Sequence, residues 1–203
     1  MKSLLLFAIF CITATTVSAQ FSDKFLNSKS SNNSLYVTGD VMVGNYKGGD
    51  LGLNFMIDKK YSIKVGFSAT DKSPIAPPSD FLKSAQTDVK SSDAAFQNFE
   101  NFYLTFGRVL FLNSKQKARI VLQGGPGISN MRTPDNWRWS VNDGSQAVYV
   151  NDISVSKKIC LIVNPKLELP IAPVMGISVG PMYMYSKENS FFGAGIGIIY
   201  GLI

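Results

Sequence analysis

The sequence predicts an all-β chain that closes into an antiparallel, up-and-down transmembrane β-barrel of eight strands. The first observation is the segment 191–203, in which large apolar side chains alternate with glycine. Successive side chains of a strand point to opposite faces, so one face is apolar and the other is nearly bare. The bare face holds Gly193, Gly195, Gly197 and Gly201, and the apolar face holds Phe192, Ala194, Ile196, Ile198, Tyr200 and Leu202. A soluble edge strand this apolar would aggregate, whereas a closed barrel in lipid requires an apolar outer face.

The second observation is the segment 61–69, which has the cleanest alternation in the chain. Its faces are Tyr61, Ile63, Val65, Phe67 and Ala69 on one side and Ser62, Lys64, Gly66 and Ser68 on the other. A helix would scatter these side chains around its axis, so the two-residue repeat predicts a strand. Hydrophobic residues make up 45% of the chain and are spread over similar short alternating runs, which is typical of a membrane barrel.

The third observation is the order of the connection lengths. Alternation and turn residues predict strands at 35–45, 51–57, 61–69, 99–111, 118–128, 147–169, 175–185 and 191–203. The long connections, 70–98 and 129–146, fall on the same side of an up-and-down barrel. Long loops on one side and short turns on the other are typical of transmembrane barrels. A membrane-spanning hairpin within 129–146 would raise the count to ten strands.

Two local features predict interruptions of the strands. Residues 46–50 contain Gly48, Gly49 and Asp50, which predict a tight turn. The glycines within 124–127, which flank Pro126, predict a kink or a β-bulge.

The N-terminal residues predict export. Residues 1–19 have the form of a signal peptide, with Lys2, an apolar run at 4–12 and small residues at 17–19 before a cleavage site. The alternative is a retained anchor, although the apolar run is short for a membrane span. Residues 20–33 predict a flexible N-terminal segment, and residues 34–203 form the barrel domain.

The composition narrows the chemistry that the chain can perform. The net charge is +6 and histidine is absent, which excludes Ser-His-Asp and Cys-His catalysis and most zinc sites. Removal of the signal peptide leaves Cys160 as the single cysteine, so no internal disulfide forms. The basic residues are spread along the chain and give no nucleic-acid patch. We therefore expect a non-enzymatic protein with no cofactor, metal or nucleic-acid partner.

Charged residues on the inward-facing side of the predicted strands form the first candidate site. A functional interpretation makes them a pore lining or an ion site. The alternative is a paired polar core, because eight strands leave room for little more than side chains and buried charges usually pair. These residues are Asp40, Lys64, Arg119, Lys158, Lys166 and Glu168.

Aromatic residues of the second long loop form the other candidate site. Trp137, Arg138, Trp139 and Tyr149 predict a binding surface for an external ligand or protein. The alternative is that they anchor the chain at the membrane interface, where Trp and Tyr concentrate.

From residue 35 to residue 203, the pattern resembles the eight-stranded outer-membrane β-barrel proteins of Gram-negative bacteria. The resemblance comes from the signal sequence, the alternating strands and the membrane-facing last strand, and includes no diagnostic motif. It implies location in the outer membrane, contact with outer-membrane lipid, and insertion by the barrel-assembly machinery. Members of this family usually end in an aromatic residue, whereas this sequence ends in Ile203.

Three functional hypotheses follow from these observations. The first is an envelope-structural or surface-interaction protein with a filled or very narrow lumen. The second is a soluble exported barrel of lipocalin type, in which the apolar parity faces inward around a hydrophobic ligand. The third is a narrow porin or an outer-membrane enzyme that modifies lipids.

Overall fold

The computed structural model describes residues 32–72, 96–112, 118–141, 147–187 and 189–201. The predicted signal peptide at 1–19 lies outside these residues, as do most of the N-terminal segment at 20–33 and most of the loop at 70–98. None of the described residues belongs to a helix that is long and apolar enough to span a bilayer.

The described residues contain nine β-strands. In chain order they are β1 (Ser34–Gly44), β2 (Lys47–Ile57), β3 (Tyr61–Lys72), β4 (Gln97–Phe111), β5 (Arg119–Val141), β6 (Ala147–Val163), β7 (Lys166–Ala172), β8 (Met175–Ser186) and β9 (Ser190–Gly201).

The strands close into a ring with eight positions. Consecutive strands pair antiparallel except β6 and β7, which do not pair with each other, and β9 returns to pair with β1. The strands β6 and β7 occupy one position, because both pair with β5 and with β8. Only Asn164 and Pro165 separate them. The predicted closed antiparallel barrel of eight strands is therefore confirmed.

Apolar side chains cover the outside of this ring. Phe55, Val65, Phe106 and Ile198 are 37%, 58%, 52% and 59% exposed, although they belong to four different strands. Side chains of the opposite parity are buried inside the barrel, as Thr38, Lys64 and Thr105 illustrate. This orientation suits lipid outside. It contradicts the lipocalin alternative, which needs the apolar parity inside.

The first hairpin turn is tighter than the sequence predicts. We expected a turn over residues 46–50, but β2 begins at Lys47. Only Asn45 and Tyr46 connect the strands, with Gly44 N donating to Tyr46 O at 2.9 Å. Gly48 belongs to β2 because its missing side chain lets the backbone of β3 approach closely, near Ala69 and Thr70. Ladder hydrogen bonds with two neighbours therefore outweigh the local preference of glycine for a turn.

Of the kink or β-bulge predicted at residues 124–127, the β-bulge is absent. Tyr103 lies opposite Gly127 and Phe106 lies opposite Gly124, so the register between β4 and β5 is the same on both sides of Pro126. Gly127 instead provides space, since a Cβ atom there would lie 2.8 Å from Ile162 Cδ1. The irregularity in β5 occurs between Asp135 and Arg138.

Asp58, Lys59 and Lys60 connect β2 to β3, and the first two of these residues lie in the left-handed region. Asp58 has φ 52° and Lys59 has φ 56°, which is the pattern of a type I′ turn. Two residues of the predicted flexible segment contact this turn. Lys59 N donates to Asn32 O, and Asp58 N donates to the Asn33 side chain, both at 3.0 Å.

Candidate functional site

Two apolar clusters fill the ends of the barrel lumen. The cluster at the end with the short turns consists of Tyr36, Met56, Val109, Val121 and Ile199, with Phe111 packed against it. The cluster at the other end consists of Met42, Tyr46, Phe99, Tyr103, Cys160, Ile162, Met182, Met184 and Phe191. On β1, Asp40 lies between Tyr36 of the first cluster and Met42 of the second. Charged side chains therefore form a belt across the middle of the lumen.

One half of this charged belt joins two lysines to two aspartates. Lys64 Nζ lies 2.5 Å from Asp50 Oδ2. Lys166 Nζ lies 2.5 Å from Asp40 Oδ2 and 3.6 Å from Asp50 Oδ2. All four side chains are buried. The two positive and two negative charges cancel. Buried side chains can stay ionised when they are paired and hydrogen-bonded in this way.

Two neutral side chains complete the hydrogen bonding of these aspartates. Ser178 Oγ donates to Asp40 Oδ1 at 2.7 Å, and the Tyr103 hydroxyl donates to Asp50 Oδ1. Asp50 is not among the predicted lumen residues, because the sequence pattern predicts that it lies in a turn. Its parity on β2, shared with the inward Gly52 and Asn54, was the signal that could have found it.

The other half of the charged belt is an arginine–glutamate pair. Arg119 Nε lies 2.7 Å from Glu168 Oε2. The Tyr36 hydroxyl donates to Glu168 Oε2 at 3.1 Å, and the Arg119 guanidinium lies 4.9 Å from the centre of the Tyr36 ring. This half is also neutral, and it adjoins the apolar cluster that contains Tyr36.

The predicted lumen residue Lys158 does not lie in the charged belt. It is exposed, although its cross-strand partner Ser129 is buried. The pairing of β6 with β8 ends at Cys160 and Ser186, and Lys158 lies on β6 beyond that point, outside the enclosed part of the lumen. The alternation of side chains predicts which face of the strand Lys158 occupies, but not how far along the barrel it lies. The other five predicted lumen residues, Asp40, Lys64, Arg119, Lys166 and Glu168, are buried and paired.

Glycine creates the space in which the belt packs. A Cβ atom on Gly52 would collide with the Lys64 side chain, and one on Gly197 would collide with the carboxylate of Asp40. The gap that remains beside Asp40, Met42 and Met182 is too narrow to admit a water molecule. Within the described residues the lumen is therefore filled, and no group of three or more Cys, Asp or Glu side chains there could hold a metal ion.

Tyr46 closes the outer cluster at the barrel mouth. Its hydroxyl donates to Gln97 Oε1 at 3.2 Å and lies 3.4 Å from Asn189 Oδ1. Lys72 Nζ lies 5.4 Å from the centre of its ring. Burial raises the pKa of the Tyr46 hydroxyl, so this group remains a neutral donor at neutral pH.

The predicted loop surface lies on a hairpin that continues the barrel wall. Pairing of β5 with β4 ends at Arg132, yet β5 continues to Val141 and still pairs with β6. Nine residues beyond Arg132 correspond to roughly 30 Å of strand. This extension is part of β5 and β6 and adds no wall position, so the ten-strand alternative is wrong.

The aromatic residues are brought together near the tip of this hairpin. Trp139 pairs with Tyr149 across the strands, and Arg138 pairs with Val150. Trp137 is partly buried. The side chains of Arg138, Trp139 and Tyr149 lie outside the described part of the chain, so their contacts stay a prediction.

Comparison with known proteins supports the fold. No protein-family model matches the chain, and no curated protein matches it either. Among solved structures, Ail, the attachment invasion locus protein of Yersinia pestis, matches with a TM-score of 0.51 at 13% identity, covering 83% of this chain and 97% of Ail. A major outer membrane protein from Thermus thermophilus matches with a TM-score of 0.51 at 8% identity, covering 83% of this chain and 98% of that protein.

The chain has the fold of the outer-membrane β-barrel proteins. The predicted resemblance to these proteins of Gram-negative bacteria is confirmed at the level of the fold. At such low identities the likeness concerns the fold alone. The role of this barrel must therefore be argued from its own residues.

Proposed function

We propose that this protein is a non-conducting, non-enzymatic outer-membrane barrel that presents the β5–β6 hairpin as an external interaction surface. The observation that carries the proposal is the length of the hairpin beyond the barrel wall. On β6, the residues before Cys160 have β5 as their only paired strand among the described residues. A barrel that served only to span the membrane would not need this extension.

The filled lumen supports the non-conducting part of the proposal. Two apolar clusters and a charge-balanced belt occupy its cross-section, as described above. The narrow-porin alternative would need these side chains to move apart, which would expose buried charges. Insertion by the barrel-assembly machinery and contact with outer-membrane lipid belong to the same proposal.

The test compares the full chain with a chain in which residues 134–153 are replaced by a two-residue Asn-Gly turn. Thr133 and Ser154 are cross-strand partners, so the shortened hairpin keeps its register. Cells displaying each form would be measured for adhesion to immobilised polysaccharides, matrix proteins and fixed epithelial cells. We expect adhesion by the full chain to at least one of these surfaces and its loss in the shortened chain.

Two controls separate loss of the hairpin from loss of the fold. Heat-modifiable gel mobility must be the same for both chains, because the barrel wall is unchanged. Planar-bilayer recording of the full chain should give no conductance steps. Equal adhesion of the two chains, or adhesion by neither, would overturn the interaction role, and regular conductance steps would favour the porin.

A further inference from the structure

On the outer surface of the wall formed by β2 to β6, moving toward the outer end, polar side chains first appear in the row that follows the last fully apolar row. Cross-strand pairing defines each row. The last apolar row is Leu51, Phe67, Phe102, Ile128 and Ile159. The next row outward is Gly49, Ala69, Glu100, Asn130 and Lys157, and the one beyond it is Lys47, Asp71, Asn98, Arg132 and Val155. We call Glu100, Asn130, Lys157, Asp71, Asn98 and Arg132 the rim ladder.

The rim ladder lies where lipid headgroups begin. It follows directly on the outermost apolar row, and its side chains share the lipid-facing parity of that row. On the opposite wall, the outer ends of β8 and β9 carry Tyr183, Tyr185 and Phe192, all of them exposed. The two sides of the barrel therefore meet the outer leaflet with different chemistry.

The carboxylates of the rim ladder are already engaged by amides. Asn98 Nδ2 donates to Asp71 Oδ1 at 2.8 Å, and Asn130 Nδ2 donates to Glu100 Oε2 at 3.2 Å. Arg132, in contrast, is exposed, and no carboxylate of the described ranges lies within ion-pair distance of it.

Lys157 is the second such cation. It is exposed and has no ion-pair partner among the described side chains. Asn130 pairs with Lys157 and Arg132 pairs with Val155, so the two cations are diagonal neighbours on one face. Diagonal neighbours are roughly 7–8 Å apart, a spacing at which the two long side chains can contact one phosphate group.

Two acceptors beside these cations also lack a partner. The Oδ1 atoms of Asn98 and Asn130 are buried and accept no hydrogen bond from any described residue. A buried acceptor without a donor is costly. Asn98 lies directly opposite Arg132, and Asn130 lies directly opposite Lys157. The rim ladder thus offers two cations for an anion and two acceptors for hydroxyl or amide donors.

We propose that the rim ladder binds the headgroup of a phosphorylated glycolipid of the outer leaflet. The phosphate contacts Arg132 and Lys157, and sugar hydroxyl or amide groups donate to Asn98 and Asn130. A phosphate alone would leave both amide oxygens without donors, and a neutral sugar would leave both cations unpaired. This site depends on the barrel wall and not on the hairpin tip, so it is independent of the adhesion role.

The test measures lipid binding by the full chain in neutral detergent micelles with native mass spectrometry. The probes are diphosphorylated lipid A, the same lipid with its phosphates removed, and inorganic phosphate as a competitor. Two basic residues near a membrane surface together strengthen the binding of an anionic lipid about 30-fold. We therefore expect the full chain to bind the phosphorylated lipid about 30-fold more tightly than the dephosphorylated lipid. The R132Q/K157Q variant should lose this preference.

The matched control is K60Q/R108Q, which removes two exposed cations from the inner end of the barrel. It should keep the preference, and heat-modifiable mobility should show that both variants are folded. If R132Q/K157Q did not fold, R132Q and K157Q alone would each be expected to lose about 5-fold. Equal binding of both lipids, equal loss in the control, or displacement by equimolar inorganic phosphate would overturn the proposal.

Discussion

Lys166 Nζ lies 2.5 Å from Asp40 Oδ2, and this contact joins residues that are 126 positions apart in the chain. The pair is buried in the charged belt, where neither partner can recover its hydration. Removal of one partner would leave the other as an uncompensated buried charge, which costs more than the pair itself contributes.

Lys166→Ala should therefore lower the free energy of unfolding by about 3–5 kcal/mol. Urea unfolding in detergent, followed by tryptophan fluorescence, would measure this. Lys187→Ala, at an exposed position after β8, should change stability by less than about 0.5 kcal/mol. The double variant Asp40→Asn/Lys166→Met should recover part of the loss, because it leaves no unpaired charge. A Lys166→Ala protein as stable as the control would contradict burial of the pair.

Two glycines on the same face of β9 should respond differently to an added methyl group. A Cβ atom on Gly197 would collide with the Asp40 carboxylate, whereas one on Gly195 would be 3.5 Å from its nearest neighbour, Asp40 Cβ. Gly197→Ala should cost about 1–3 kcal/mol through overpacking. Gly195→Ala should be close to neutral. The same urea titration compares them, and equal effects would show that neither the Asp40 carboxylate nor the Gly39 carbonyl oxygen occupies the space beside Gly197.

A charge on the lipid-facing side of β9 should be costly in a depth-dependent way. Ile196 is 65% exposed and lies midway along the apolar face of the strand. Ile196→Lys should destabilise the barrel by about 2–4 kcal/mol, whereas Phe192→Lys near the outer end should cost less through its charge, about 0–1 kcal/mol. Unfolding from lipid vesicles would show the difference. Equal stability of Ile196→Lys and the unmodified protein would mean that water, not lipid, faces this position.

The β2–β3 turn should be improved by glycine at its second position. Lys59 has φ 56°, in the left-handed region that a side chain disfavours. Lys59→Gly should raise the free energy of unfolding by about 0.5–1 kcal/mol. Lys60→Gly is the matched control, since Lys60 has no positive φ, and it should leave stability unchanged or lower it. A loss of stability in Lys59→Gly would show that the lysine side chain matters more than the backbone strain.

The sequence pattern predicts which face of a strand each side chain occupies, but not which residues it contacts. Parity assigned Asp40, Lys166 and Glu168 to the lumen, because one face of each strand must be apolar in lipid. It did not reveal that Lys166 meets Asp40 and Asp50, since that depends on the stagger between strands that close the ring. Stagger is set by all the ladder hydrogen bonds together, and no local segment encodes it.

Local turn chemistry was the less reliable guide. Gly48 and Gly49 favour a turn in isolation, and the glycines around Pro126 favour a bend. In the barrel, Gly48 and Gly127 allow close approach of neighbouring groups within regular strands. The same residue type serves both purposes, and only the neighbours decide which one applies. The bulge between Asp135 and Arg138, in contrast, coincides with Pro134 and Asn136, residue types that favour turns and bulges.

The pairing of β1 with β9 has a consequence for the order of assembly. Asp40 belongs to the earliest strand made, yet Lys166 and Ser178, which hold it, are synthesised more than a hundred residues later. Contacts of such long range form slowly. A nascent chain therefore carries an unneutralised carboxylate until β7 and β8 are made, and two open sheet edges until its last strand arrives. Any factor that shields those groups in the meantime would speed maturation without touching the finished molecule.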